Sequence, residues 1–229
     1  MKEANLTKDY YISQKRFGND IKRQKSFVIE KQYIQSLFHK RSLENLKILD
    51  IGCSTGEFIK SVFGDGQEIF GIEPSEFASD IASKNGIKII NDISEEDNFD
   101  LIIYRGTIQY IPNPFESIMK THRALKNKGK IIFLATPNTR SLYYLLFKTL
   151  PFLEDDLMYW VPSDICLKRT LENFGFINVE LKYPYFKTPY SQPLLDLLRF
   201  FVKIFTNRGK FAFPGNSISV SAEKNDKPI

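Results

Sequence analysis

Five short apolar runs organise the middle of the chain: Lys47–Ile51, Ile69–Ile72, Ile87–Ile90, Leu101–Tyr104 and Lys130–Ala135. Each is brief and rich in β-branched residues, and helix-like stretches separate them, so they read as strands buried on both faces of a sheet. Helices are expected from about Asn19 to Lys40, from Gly56 onward, over Phe77–Ser83 and over residues 115–126, where Pro114 suits a first turn. The basic residues and glycine of Lys126-Asn127-Lys128-Gly129 are expected to close that last helix. Strands alternating with crossover helices predict an α/β fold with a parallel sheet. After Pro137 the pattern loosens. Residues 138–160 are apolar and aromatic, interrupted by Glu154, Asp155 and Asp156. A helix over 163–174, a strand over 176–183, a helix within 190–207 and a last strand over Ser217–Ala222 complete the reading.

Composition narrows the class. With 229 residues, the chain is one large domain or a domain with an insertion. Hydrophobic residues at 42% and charged residues at 26% exclude a disordered chain. The net charge of +5 is mild and not gathered into a patch, which argues against a nucleic-acid partner. Cys53 and Cys166 lie far apart with no CxxC and no nearby His pair, so neither a disulfide scaffold nor a metal site is expected. The start, Met1 to Asn5, is polar and unlike a signal peptide. The two most apolar stretches are broken by Lys148 and by Asp196, Arg199 and Lys203, too soon for the ~20 residues of a membrane span. A cytoplasmic protein without a transmembrane segment is expected.

The chemistry concentrates in Lys47-Ile-Leu-Asp-Ile-Gly-Cys-Ser-Thr-Gly-Glu-Phe58. A strand ends at Gly52, a loop of small residues follows, and a helix opens near Gly56, so the backbone can approach a ligand and offer free N–H groups. A dinucleotide fingerprint would want glycine where Ser54 and Glu57 stand, and a carboxylate at the mouth of a phosphate site repels. Glu73 ends the second run, where an acid can accept hydrogen bonds from a ribose diol. Asp92, after the third run, is placed to accept from an adenine amino group, with Ile93 beside the ring. Asp50 suits a positively charged amino group. Together these features describe a cationic adenosine ligand without phosphates.

The combination resembles a class I S-adenosylmethionine-dependent methyltransferase of the small-molecule type. Ile48-Leu-Asp-Ile-Gly-Cys-Ser-Thr-Gly56 resembles its first motif, Glu73-Pro74-Ser75 its ribose turn and Asn91-Asp92-Ile93 its adenine turn. Residues 99–114 resemble the segment through strand four, and 123–129 the joint into strand five. The resemblance spans about 45–183. It implies a Rossmann-like seven-stranded sheet, mostly parallel with the last strand antiparallel and helices on both faces. It also implies S-adenosyl-L-methionine as cofactor, held by Asp50, Gly52, Cys53, Ser54, Gly56, Glu73, Pro74, Asp92 and Ile93, with Arg105 flanking the methionine part. The N-terminal segment 1–44 is expected to be helical or lid-forming, and 45–229 to be the methyltransferase domain, with acceptor-side insertions near 138–162 and 186–214.

No base is identified. Many relatives carry Glu-His where this chain has Gln109-Tyr110. The weak catalytic candidates are Tyr110, which faces the acceptor or packs under its loop, Asp155 and Asp156, a base or a solvated turn, and Tyr159, which with Trp160 stacks on a ring or simply packs. His122 falls at core spacing on its helix, and His39 lies among Lys40 and Arg41 as a surface residue. Tyr10 and Tyr11 form a lid or a frayed terminus. On Pro193–Phe205, Asp196, Arg199 and Lys203 share one narrow stripe, leaving a wide apolar arc that needs covering. Packing over the acceptor side with Leu142–Phe152, a homodimer contact and a membrane surface are the three coverings open. The leading acceptor is a sugar or surface-polysaccharide precursor, because the tail Lys210–Lys224 loosely resembles methyltransferases of bacterial surface sugars. A quinone- or lipid-like acceptor, or a non-catalytic cofactor-binding partner protein, is the alternative.

Overall fold

The computed structural model describes residues 20–38, 43–64, 67–151, 153 and 158–225. Tyr10, Tyr11, His39, Asp155 and Asp156 lie outside them. The elements in chain order are α1 (Ile21–Leu37), β1 (Lys47–Ile51), α2 (Glu57–Phe63), β2 (Glu68–Ile72), α3 (Glu76–Lys84), β3 (Lys88–Ile89) and β4 (Phe99–Arg105), followed by α4 (Pro114–Ala124), β5 (Leu125–Pro137), α5 (Leu142–Phe147), α6 (Asp164–Asn173), β6 (Phe176–Lys182), α7 (Pro193–Thr206) and β7 (Ser217–Lys224). They build a seven-stranded sheet ordered β3-β2-β1-β4-β5-β7-β6. β1 to β5 pair in parallel, and β7 runs antiparallel to both of its neighbours.

Period-two alternation along β1 and β4 divides the core into two layers. Leu49, Ile51, Ile102 and Tyr104 face one side, with Ile118 of α4 and Leu167 of α6. Ile48, Leu101 and Ile103 face the other, where Phe27 and Ile34 of α1 and Ile59 of α2 cover them. Fully burying side chains such as Phe27 and Ile34 contributes roughly 1.5–3 kcal/mol each. The same alternation puts Asp50 and Arg105 on the α1 side, at the carboxyl ends of their strands.

One local expectation is corrected. Lys126 to Gly129 do not cap a helix, because α4 ends at Ala124 and Leu125 already opens β5. Strand pairing with Phe99 prevails over the local capping signal, and the register shifts between Phe99 and Leu101. Gly129 is needed there for close approach: a Cβ would stand 2.8 Å from the Lys126 carbonyl and 2.9 Å from that of Phe99.

A third cluster lies outside these layers, where Tyr143, Leu150, Leu153, Phe200 and Phe211 join α5 to α7. The pairing of Pro137 with Ser217 brings the chain leaving β5 and the chain entering β7 to the same edge, so α5 and α7 sit near the strand tips.

Candidate functional site

The loop after β1 is shaped by backbone that few side chains tolerate. Gly52, Ser54 and Gly56 have φ of 76°, 54° and 77°. A Cβ on Gly52 would lie 2.5 Å from the Thr107 methyl, and one on Gly56 2.1 Å from the Ile87 Cδ1. The amides of Gly52 and Cys53 both donate to the Ile72 carbonyl, at 2.7 and 3.1 Å, binding the loop to the tip of β2. Glu73 completes the clamp, its carboxylate accepting from the Ser54 amide at 2.9 Å and the Ser75 amide at 3.0 Å. That loop-fixing role was not foreseen. It also orients the carboxylate at the strand tip.

Asp50 is the informative group. It is 2% exposed, and its Oδ1 has no hydrogen-bond partner among the described residues. Burial is the main reason its pKa rises to about 7; the charge of Arg105 opposes the rise, while Glu73 and Glu30 add to it. A buried carboxylate with an orphan oxygen is costly unless a cation or donor meets it. The Ser54 Oγ, in the same loop, is likewise buried and without a partner among the described residues.

Arg105 does not point as a bare cation into this space. Its Nε donates to Glu30 at 2.9 Å, and its guanidinium lies 4.9 Å from the ring centres of both Phe27 and Phe58. Glu57, at the first turn of α2, accepts from Gln24 at 2.7 Å and pairs with Arg23 at 3.0 Å. These ties fasten α1 beside the loop. Glu30, Arg23 and Gln24 were missed in the sequence because their partners are distant in the chain, and nothing in the spacing of α1 marks them.

Other predicted positions behave differently. Cys53 contributes backbone, since its thiol sits against β2 where a Gly71 Cβ would be (2.6 Å), and burial pushes its pKa up. Pro74 is exposed. Asp92 accepts from the Ser94 amide at 2.9 Å and pairs with Lys120 at 2.7 Å, which together hold its pKa down at about 2. An adenine amino group would have to share those oxygens. Ile93 is buried in the core layer beneath, with little side chain left to cover a ring.

The turn after β4 meets the 158–160 segment. The Gln109 carbonyl accepts from the Tyr159 amide at 2.8 Å and the Trp160 amide at 3.4 Å, and Trp160 packs on Phe115 with ring centres 5.0 Å apart. Tyr159 is 55% exposed and Tyr110 half-buried, so two phenols flank one turn at the strand tips. Gln109 itself is buried, its Nε2 donating to the Gly106 carbonyl at 3.0 Å while its Oε1 has no partner among the described residues. His122 is a packed helix residue, edge-on to Phe176, and burial lowers its pKa. Among the described residues no cluster of His, Cys, Asp and Glu could hold a metal, and no helix is long and apolar enough to cross a membrane.

A family model described as "Methyltransferase domain" matches residues 23–181. The chain belongs to this methyltransferase family. A tRNA U34 carboxymethyltransferase from Vibrio cholerae is 25% identical over 157 residues, covering 62% of this chain and 48% of its own length. The chain thus spans about half of that curated relative. Among solved structures, a SAM-dependent methyltransferase from Archaeoglobus fulgidus superposes with a TM-score of 0.63 at 18% identity, covering 94% of this chain and 99% of that one. A phosphoethanolamine N-methyltransferase 2 from Haemonchus contortus, in complex with S-adenosyl-L-methionine, gives 0.57 at 16% identity, covering 86% and 52%. For this methyltransferase the orphan Asp50 oxygen and the Ser54 hydroxyl fit S-adenosylmethionine, whose ammonium and polar methionine end would meet them. When bound, that cofactor supplies an electrophilic methyl carbon on a sulfonium.

Proposed function

We propose that the chain transfers the methyl group of S-adenosylmethionine to a hydroxyl of a small acceptor that carries an apolar portion, of a quinone- or lipid-like kind. The acceptor oxygen gains the methyl carbon, the C–S bond breaks with its electron pair left on sulfur, and the hydroxyl proton passes to a base or to water. The donor half of this reading is carried by Asp50, a buried carboxylate whose orphan oxygen calls for a cationic partner at the tip of β1. Asp50, Ser54 and Glu73 are assigned to the cofactor, with the backbone of Gly52 and Cys53. Arg105 acts by positioning α1 rather than by touching the reacting atoms. Tyr110 and Tyr159 flank the acceptor's approach.

The acceptor half is supported by the aromatic turn at 158–160 and by the apolar exposure of α5 and α7 near the same edge. A free sugar would gain little from such surroundings. The tail that suggested a sugar acceptor includes β7, whose alternation serves sheet pairing and carries no acceptor information. The relative that acts on tRNA shares too little length and identity to carry an RNA acceptor.

The test is transfer of tritiated methyl from the cofactor, with formation of S-adenosylhomocysteine followed in parallel. Label entering the organic phase of a lipid extract, and not nucleotide sugars or bulk tRNA, is the expected result. Label in a nucleotide sugar restores the sugar acceptor, and label in tRNA replaces both. Cofactor binding with no S-adenosylhomocysteine on any pool leaves the cofactor-binding partner reading standing.

A further inference from the structure

The helix α7 is built inside out. Asp196 is 1% exposed and Lys203 4%, whereas Leu194 and Phe205 are each 87% exposed, and Leu197, Leu198, Phe201 and Val202 are exposed between them. At 3.6 residues per turn, those apolar positions together with the exposed Leu195 and Ile204 span about half of the helix circumference. The inward polar groups are all matched. Asp196 accepts from the Tyr185 hydroxyl at 2.8 Å, the Gln192 amide at 2.8 Å and Arg199 at 3.0 Å. Lys203 donates to the Gly209 carbonyl at 3.0 Å and lies 4.9 Å from the centre of the Phe147 ring. On the adjoining α5, Leu142, Leu145 and Leu146 are also exposed. The narrow stripe of Asp196 and Lys203 faces inward, and the wide apolar arc is the exposed side among the described residues.

The charge that this segment exposes has one sign, although Asp20 at the start of α1 and Glu30 within it act on Tyr190 beside it. Between residues 181 and 222 the only acid is Asp196, which is buried and paired. Lys182, Lys187, Arg199, Arg208 and Lys210 are exposed in the same stretch, and Lys148 ends α5. A groove of about 650 Å³ runs along the edge of α7, and its lining includes the cations Lys22, Arg199, Arg208 and Lys210, the apolar Leu198 and Val202, and the paired Asp196. Among the described residues no ion pair engages Lys22, Arg208 or Lys210.

We propose that the outer face of α5 and α7 docks on an anionic lipid bilayer, its leucines and phenylalanines entering the acyl boundary and its cationic groove receiving acidic headgroups. Helices that lie in a membrane surface pair an apolar face with flanking Lys and Arg in this way. A second copy fits less well, because it brings a second set of basic rims into the same contact and no acid to neutralise them, whereas acidic lipids would. RNA accounts for less of the face, since phosphates would engage the groove and bases the Phe201 and Phe205 rings, leaving Leu194, Leu197, Leu198 and Val202 exposed without a role. Docking draws on the same exposed helices as the acceptor assignment, and it is measured without any acceptor, so either can fail alone.

The experiment is co-sedimentation of the full chain with phosphatidylcholine vesicles, with and without phosphatidylglycerol. Retention about tenfold higher on the anionic vesicles, declining with salt, is expected. The pair R208E/K210E should abolish the preference, and L198E/F201E should abolish retention altogether, while S-adenosylhomocysteine binding by calorimetry stays unchanged and shows both variants folded. Equal retention on both vesicle types, or retention indifferent to L198E/F201E, overturns the proposal. So does a concentration-dependent dimer that the same substitutions dissociate, which would make the face a contact between copies. Competition of vesicle binding by bulk tRNA but not by inorganic phosphate would instead point to RNA.

Discussion

The loop after β1 and the cap made by α5 and α7 lie near the same edge of the sheet and place their polar groups in opposite ways. At the loop, a buried acid is left without a partner for one oxygen, and the surrounding backbone is held in conformations that glycine makes cheap. In the cap, a buried acid has every bond it needs, and the outside of the helix is apolar. An unmatched buried charge costs stability and is retained where a ligand completes it, whereas a matched one holds structure together. Two buried aspartates therefore have opposite meanings. Asp50 is the group that we propose a ligand completes, and Asp196 is a cross-brace.

The largest test of that contrast is Asp196→Ala. Removing the carboxylate strands the Tyr185 hydroxyl and the Gln192 amide, while the half-exposed Arg199 turns to solvent, a loss of about 3 kcal/mol on the scale of buried donors left unsatisfied. Burial and the bond to Asp196 raise the Tyr185 pKa to about 12, so the phenol stays protonated and donating throughout the accessible pH range. Chemical denaturation of the wild type and the variant reads the difference. A loss near zero would mean that the brace does not exist in solution.

Asp50→Asn should move stability the other way, by about 2 kcal/mol, out of a ceiling on the order of 4 kcal/mol for a three-unit shift. The wild-type carboxyl has an ordinary value of 3.8 and about 7 in the fold, so between those values the folded state binds more protons than the unfolded one. Wild-type stability therefore falls as pH rises through that window and levels off above it. Asparagine cannot ionise, so the variant's advantage is absent at the acid end and complete above about 7. Its cofactor affinity should drop about tenfold, because a charge-assisted bond is lost. Wild-type binding should strengthen as pH rises through the same window. Denaturation series across pH and calorimetry with S-adenosylhomocysteine supply both readings, and a variant less stable than the wild type at high pH would show that Asp50 is already satisfied.

The two regions were also unequally legible. The strand tips could be read because the required residues are local: Gly52 and Gly56 follow the apolar run of β1, and Glu73 follows that of β2. Periodicity placed these elements to within a few residues. What escaped was the other end of each interaction. The clamp of Glu73 on the Ser54 amide and the locking of Arg105 by Glu30 join segments far apart in the chain, and no local pattern announces them. For α7, periodicity separated the polar stripe from the apolar arc correctly, but it carries no sign. Which face turns inward depended on Tyr185 and on the carbonyl of Gly209, partners outside the helix that gave Asp196 and Lys203 a buried role.

The smallest expected effect is therefore the most pointed. Leu198→Glu places a charge on the outer face of α7, two residues from the brace at Asp196. If that face meets only solvent in the absence of lipid, the substitution strands no buried group and opens no cavity, so the stability change should stay within about 0.5 kcal/mol. Differential scanning calorimetry at dilute concentration, without vesicles, measures it. A destabilisation rivalling that of Asp196→Ala would show that Leu198 is packed in the free protein, and the assignment of inside and outside on this helix would have to be reversed.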